Sequence, residues 1–483
     1  MPDRRHSEHI SPSLSRTGPA RRTCAGRCDR ASDNEIGGIA VSKHSAGSGA
    51  AAPADADHVL GEEYEHEPVP MAARRSLFSM VMVWAGFPMI ITGAMTGSLL
   101  VLGMGFSRAL VAMIIGNLIM LAYVGALGLS ATRSGMNFAL IASRVFGTKG
   151  YALASGLLST LLLGWFAVQT GITGALVAST YGLNYVAMTI VAGLLYIGIT
   201  FVGVRGLHLI GMVSVPLFFV LGLFVVVHAA GTTSFEAIWN YAGNNGVATM
   251  SMGVGLTVVI ALFIDAGTVT ADFNRWSKTG SHSLIATFSA FPVSNLVAML
   301  VGGIMTAALA VPNANPFGAD NMFGYMNKLQ IGWLGLLAFL FLYINLGSVC
   351  SHCLYNAATG WSRILRSKMR LMAVILGLVG IAIAAGNVWA FFIQWLSLLG
   401  IIVPPIGMIL LVEAYVLKHG SAAQKEWRTL PFVSWALGAA AGFIVEFYAP
   451  QLSTAISAGL VATIAHLVLT SFAAGRAADR APA

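Results

Sequence analysis

An aspartate stands in the middle of an apolar stretch of membrane length. The stretch reads Ala261-Leu262-Phe263-Ile264-Asp265-Ala266-Gly267-Thr268, inside a run that extends over roughly residues 248–271. A carboxylate in hydrocarbon is costly even on lenient insertion scales, and a glycine two residues on lets a helix open and offer unpaired backbone groups. Retaining both points to a substrate or ion site. A second constellation is Gly164-Trp165-Phe166-Ala167-Val168-Gln169. Trp165 and Gln169 are four apart, hence on one helical face, which sets an aromatic plate beside an amide that both donates and accepts. These groups suit a flat heterocycle, and the same pair also serves ordinary helix packing. Phe263 supplies a second plate, and stacking on an aromatic ring contributes about 1–3 kcal/mol per base in nucleic-acid sites. Third, Gly86-Phe87-Pro88 is followed by Thr92-Gly93 and Thr96-Gly97-Ser98. Proline removes a backbone donor and frees a carbonyl one turn earlier, so the segment is kinked or broken.

The elements that must hold these groups are membrane-spanning helices. Hydrophobic types make up 57% of 483 residues and charged types 10%, with a mean hydropathy of +0.77, values outside the range of a soluble domain. The apolar runs are about twenty residues or longer, the length that crosses roughly 30 Å of hydrocarbon, and lack the alternation of an outer-membrane barrel. About twelve runs are expected, near 76–102, 107–131, 149–179, 183–204, 207–229, 248–271, 283–311, 328–357, 370–386, 388–416, 429–448 and 451–473. The interruptions at Gly86-Phe87-Pro88 and Asp265-Ala266-Gly267 fall in the first and sixth runs. Interrupted helices at corresponding places in two halves mark a transporter with inverted repeats and a midplane site. The expected organisation is therefore all-α and polytopic: a transmembrane region over 71–474, with repeat one at 76–229, repeat two at 248–416 and two extra helices at 429–473.

Residues 1–70 are rich in Ser, Ala, Gly, Pro, His and charge, with no apolar periodicity, and are expected to be a disordered cytoplasmic tail. They hold eleven acidic and eight basic residues, and 475–483 is expected to be a cytoplasmic C-terminal tail. If the N terminus is cytoplasmic, the inner segments carry seventeen Lys and Arg, and the outer ones only Arg108 and Lys328. This is the positive-inside asymmetry, and it puts both termini in the cytoplasm with the chain in the inner membrane. The overall charge of +8 is then inner-loop Lys and Arg meeting anionic lipid, with no nucleic-acid partner implied. Cys350 and Cys353 share a helix face without a completing His/Cys cluster, so no metal centre is expected. Nor does any nucleophile-base or metal set point to catalysis. A monomer is the expected unit.

Taken in order, these residues and others resemble the cytosine permease branch of the nucleobase:cation symporter-1 family. The resemblance is carried by Pro68-Val69-Pro70 with Ala72-Ala73-Arg74, Gly164-Trp165-Phe166, Asp265-Ala266-Gly267-Thr268 through Thr270-Ala271-Asp272-Phe273, Asn345 with Leu354-Tyr355-Asn356-Ala357, and Pro404-Pro405-Ile406-Gly407. It spans roughly residues 68–473. It implies a leucine-transporter-type fold of twelve helices that imports a nucleobase or related heterocycle (cytosine, purine, uracil, hydantoin or allantoin) by sodium or proton symport with alternating access.

By the same resemblance, Trp165 and Phe263 sandwich the substrate, Gln169 hydrogen-bonds it, and Asp265 and Ala266 complete the site. The glutamine that cytosine-type members place three residues before the tryptophan is Leu162 here, and Asp265 replaces a small hydroxyl residue. The family's sodium would be held by backbone carbonyls matching Gly86, Met89 and Asn345 and by two hydroxyl side chains matching Ser348 and Val349. Valine offers no oxygen to a hard cation. With no cofactor expected and the coupling ion H+ or Na+, these departures favour the proton. Asp265 is then a protonatable coupling group, a partner for a cationic or amino-bearing substrate, or a cap on the broken helix. Glu413 and His352 are secondary titratable candidates.

Overall fold

The computed structural model describes residues 61–417 and 425–478. The tail expectations for 1–60 and 479–483 lie outside the described residues. The described chain is almost entirely helical. In order, α1 (Leu77–Gly86) and α2 (Ile91–Met104) form a bent pair, followed by α3 (Phe106–Ser134), α4 (Phe138–Phe146), α5 (Tyr151–Tyr181), α6 (Tyr185–Phe201) and α7 (Val204–Ala230). The second half has α8 (Met252–Ala261), α9 (Ile264–Thr268), α10 (Ala271–Asn274), α11 (Gly280–Leu309), α12 (Gly332–Leu365), α13 (Met369–Ala385) and α14 (Val388–Leu417). The last two are α15 (Thr429–Tyr448) and α16 (Thr454–Ala478).

Eight helices are individually long and apolar enough to cross a bilayer. The α1–α2 pair, bent by 52°, adds a ninth, and α6, α8 and α13 are shorter apolar helices of 17, 10 and 17 residues. Side chains such as Leu195, Val220 and Phe447 remain exposed on the outer faces, where lipid takes the place of a protein partner.

Local chemistry sets where helices start and stop. Ser76, Asn137, Asn184, Ser251 and Thr279 each accept a hydrogen bond from a backbone N–H of the first turn, a donor the helix cannot satisfy itself. Gly135 (φ 68°) and Gly182 (φ 69°) close α3 and α5 in the left-handed conformation that L side chains disfavour.

Small residues then bring backbones together. A Cβ on Gly97 would overlap the Met299 carbonyl, and one on Gly302 the Ala94 carbonyl, so α2 and α11 touch along their main chains. Gly86 sits against Gly211 in the same way, locking α1 to α7. Long α5 lies along long α12. The first interruption is hydrogen-bonded to α12 and α5, and the short helix α9 at the second packs against α3, α5 and α14.

The segment expected to be a free tail up to residue 70 is not free along its whole length. Residues 61–75 form a strap fastened at many points. Val69 N–H donates to the Gly135 carbonyl (2.8 Å) and Arg75 N–H to that of Trp276 (2.8 Å). Arg275 donates to the Glu63 and Tyr64 carbonyls (2.8 and 2.6 Å), and Arg370 to that of Gly61 (2.7 Å). The physical reason is an unusual supply of buried guanidinium donors, which chain carbonyls can satisfy without any apolar pattern in the strap itself. The C-terminal tail expected from residue 475 likewise begins inside α16, which continues to Ala478.

Candidate functional site

The break in the first span comes from Pro88. It has no N–H, so the chain leaves the helix: Phe87 N–H reaches back only to Trp84 O (3.3 Å), and Ile90 N–H closes a tight turn on Pro88 O (2.9 Å). Helix α12 repairs the gap with a side chain. Asn345 Nδ2 donates to the Met89 carbonyl (2.8 Å) and to Ser214 Oγ (3.0 Å), while its Oδ1 accepts from Ile91 N–H (2.7 Å). One amide therefore stands in for the missing helical bonds on both sides of the break. Ser348, one turn further along α12, donates its hydroxyl to the Gly86 carbonyl (2.6 Å).

The sixth span is not broken at Asp265-Ala266-Gly267, as expected, since those residues lie inside α9; the break falls earlier, at Leu262-Phe263, where Phe263 takes φ −137°, ψ 13° between α8 and α9. Asp265 lies in the first turn of α9, and its Oδ1 accepts from Ala266 N–H (2.8 Å). Thr268 bonds back to the Ile264 carbonyl (2.7 Å) and to Tyr123 OH of α3 (2.6 Å), which fixes the short helix in place.

These two breaks and α5 enclose one pocket. Phe87, Trp165, Gln169, Leu262, Phe263, Asp265, Ala266, Val349 and Cys353 line it, and none is more than 3% exposed. All five expected substrate residues are brought together here. The space between them is narrow, with room for about one water. Gln169 Nε2 donates to Thr92 Oγ1 of α2 (2.9 Å), which leaves its Oε1 without a partner. Trp165 Nε1 and Asp265 Oδ2 are also buried and unpartnered; they are near enough to interact, yet not in hydrogen-bonding geometry. Buried polar atoms are almost always paired, and residues lining this one pocket carry three that are not. Above Trp165, Phe392 of α14 packs edge-on at 5.6 Å, and Phe317 from the 312–327 segment covers Phe392 at 4.6 Å.

The four expected cation residues lie beside this pocket, but their oxygens are engaged. Gly86 O accepts from Ser348 and Met89 O from Asn345, and the Asn345 carbonyl belongs to an unbroken helix. Val349 lines the pocket at the second hydroxyl place. With valine there, one of the two expected side-chain oxygens is missing from the set a hard cation would need.

The secondary candidates separate. His352 is stacked on Phe87 at 5.0 Å and donates Nδ1–H to Ser348 O (2.7 Å), next to the first break. Glu413 is elsewhere, bound to Arg428 (2.7 Å) and His466 (3.1 Å) between α14, α15 and α16. Sequence reasoning passed over Glu63, Arg275 and Tyr355. Tyr355 OH donates to Glu63 Oε2 (2.9 Å), Val204 N–H donates to its Oε1 (3.2 Å), and Arg370 lies 3.7 Å away. The acid-rich run Glu62-Glu63-Tyr64-Glu65-His66-Glu67 directly before Pro68 was the available signal.

Residues 68–469 match the family described as permeases for cytosine/purines, uracil, thiamine and allantoin. The cytosine permease of Escherichia coli strain K12 is 27% identical over 415 residues, covering 84% of this chain and 94% of the relative. Among solved structures, Mhp1, a nucleobase-cation-symport-1 family transporter in a closed conformation with bromovinylhydantoin bound, superposes with a TM-score of 0.68 at 15% identity, over 85% of this chain and 95% of that one. A Na+-coupled sialic acid symporter gives 0.62 at 13% identity, over 86% and 95%. The shared architecture is the leucine-transporter-type fold.

Proposed function

The chain belongs to the family of permeases for cytosine/purines, uracil, thiamine and allantoin, and from that membership we propose that it imports a small planar nitrogen heterocycle, a nucleobase or close relative, by cation symport. It is a multi-pass membrane transporter and not an enzyme. The observation that carries the substrate class is the pocket itself: two aromatic faces, Trp165 and Phe263, and three unpartnered polar atoms meet where two broken helices cross. A flat ring that entered the pocket would stack on the first and pair with the second. Gln169 and Asp265 supply acceptors, the Trp165 indole a donor, and the Ala266 backbone holds the carboxylate. Alternating access then consists of α1–α3 and α8–α11 moving against the remaining bundle, with the 312–327 segment closing over Phe392.

A proton rather than sodium is the coupling ion in this reading. It is supported by Val349, which offers no oxygen at the second hydroxyl place beside Ser348. Asp265 either takes up the proton itself or receives it on the substrate. The inner-loop excess of Lys and Arg supports cytoplasmic termini in an inner membrane. Uptake into proteoliposomes under separately imposed sodium and proton gradients tests coupling: accumulation driven by the proton gradient alone is expected, and accumulation driven by sodium alone would overturn it.

A further inference from the structure

The pocket offers an incoming ring two acceptors and one donor, and one of the acceptors is a carboxylate. Gln169 Oε1 and Asp265 Oδ2 have no partner, and Trp165 Nε1–H has none. Asp265 Oδ1 accepts from Ala266 N–H and keeps a second lone pair, so both carboxylate oxygens can face a ligand edge. No other charged side chain lines the pocket. The titratable groups nearest it on neighbouring elements include Cys353 of α12, which lines the pocket, His352 of α12, stacked on pocket-lining Phe87, and Tyr123 of α3, which is committed to Thr268.

We propose that the substrate presents an amidine edge, a ring nitrogen next to a carbon bearing an amino group, and that this edge and Asp265 bind one proton between them. This rests on the reading that the pocket takes a heterocycle. A neutral amidine edge has one donor, the amino group, and one acceptor, the ring nitrogen. Against an ionised carboxylate the ring-nitrogen lone pair meets an oxygen lone pair, and one of the two contacts is repulsive. Adding one proton makes both contacts hydrogen bonds, whether it sits on the carboxyl oxygen or on the ring nitrogen. Binding of the ring therefore recruits one proton from the side where the site is open, and release on the other side returns the neutral ring and the proton separately. Coupling arises in the contact between substrate and carboxylate, with no ion at the α1–α12 junction. A ring with only oxo groups behaves differently. Its imide N–H satisfies the ionised carboxylate without a proton, but sets a carbonyl oxygen beside the other carboxylate oxygen.

The test is binding to the purified full-length protein, using cytosine, adenine and 2-aminopyrimidine against uracil and hypoxanthine, by isothermal titration in two buffers of different ionisation enthalpy. Expected are tighter binding of the amino rings and uptake of about one proton per ring bound. Asp265→Asn should weaken amino-ring binding by roughly 10- to 100-fold and abolish the proton uptake. Amino rings binding the wild-type protein with no proton uptake would overturn the proposal, and so would Asp265→Asn retaining both affinity and uptake. Tight, transported oxo rings with amino rings excluded would leave a heterocycle carrier in place and sink the amidine edge alone. Failure of every ring to bind would instead sink the heterocycle reading itself. The wild-type proton count decides the matter even if the variant does not fold.

Discussion

Glu63 fastens the strap, and its ionisation sets how firmly. It lies outside the membrane spans and is 3% exposed. Its partners are Tyr355 OH, Val204 N–H and, at longer range, Arg370 and Arg275. Burial outweighs all of them and raises its pKa from 4.5 to about 7. A carboxyl that holds its proton more tightly when docked than when released gives docking energy that is complete below the released value and lost as pH rises through the docked one. Strap docking should therefore be firmest below about pH 4.5 and weaken by about 1.4 kcal/mol per pH unit up to about pH 7, some 3 kcal/mol in all, then level off. Glu63→Gln keeps the size and one acceptor for Val204 N–H but cannot ionise. Hydrogen exchange of strap amides is the assay, with Val69 N–H and Arg75 N–H as reporters because each is paired to another element. After correction for intrinsic exchange, wild-type protection should fall on the order of a hundredfold between pH 5 and 7.5, the equivalent of that energy. The Gln variant should be nearly flat. Equal slopes in the two proteins would refute the assignment of the strap's pH response to Glu63.

Trp165→Ala removes the larger aromatic face and one orphan donor, and should abolish ligand-induced thermal stabilisation for whichever ring binds; Trp165→Phe should keep part of it. Asn345→Ala leaves Met89 O, Ile91 N–H and Ser214 to find other partners, and should lower stability by about 2–5 kcal/mol, read as a drop in apparent Tm in detergent. Gly302→Val forces a side chain into the Ala94 backbone and should reduce folded yield sharply, whereas the same change at Gly198, which has open space, should be tolerated in a size-exclusion assay.

Properties carried by short stretches of chain were legible from residue order. The long apolar helices follow from apolar length, because hydrocarbon thickness sets a length that a run must meet by itself. The first break follows from Pro88, since a missing N–H acts within one turn, whereas the sixth-span break falls at Leu262-Phe263, ahead of the expected Asp265-Ala266-Gly267, which is itself helical. The face shared by Trp165 and Gln169 is a matter of helical period. Partnerships between distant residues were not legible in this way. That Asn345 would splice the first helix through its side chain, that Ser348 would bond to Gly86, and that Glu413 would pair with Arg428 and His466 all depend on packing across the bundle. The strap shows the limit most clearly. Its composition is that of a solvated tail, and what holds residues 61–75 is a set of donors on Arg275, Arg370 and Tyr355 more than two hundred positions away. Sequence pattern determined which segments must leave water and where the first helix must break, because those costs fall on each segment alone; only the tertiary structure decided where the sixth breaks and which buried groups were satisfied, because that depends on partners from elsewhere in the chain.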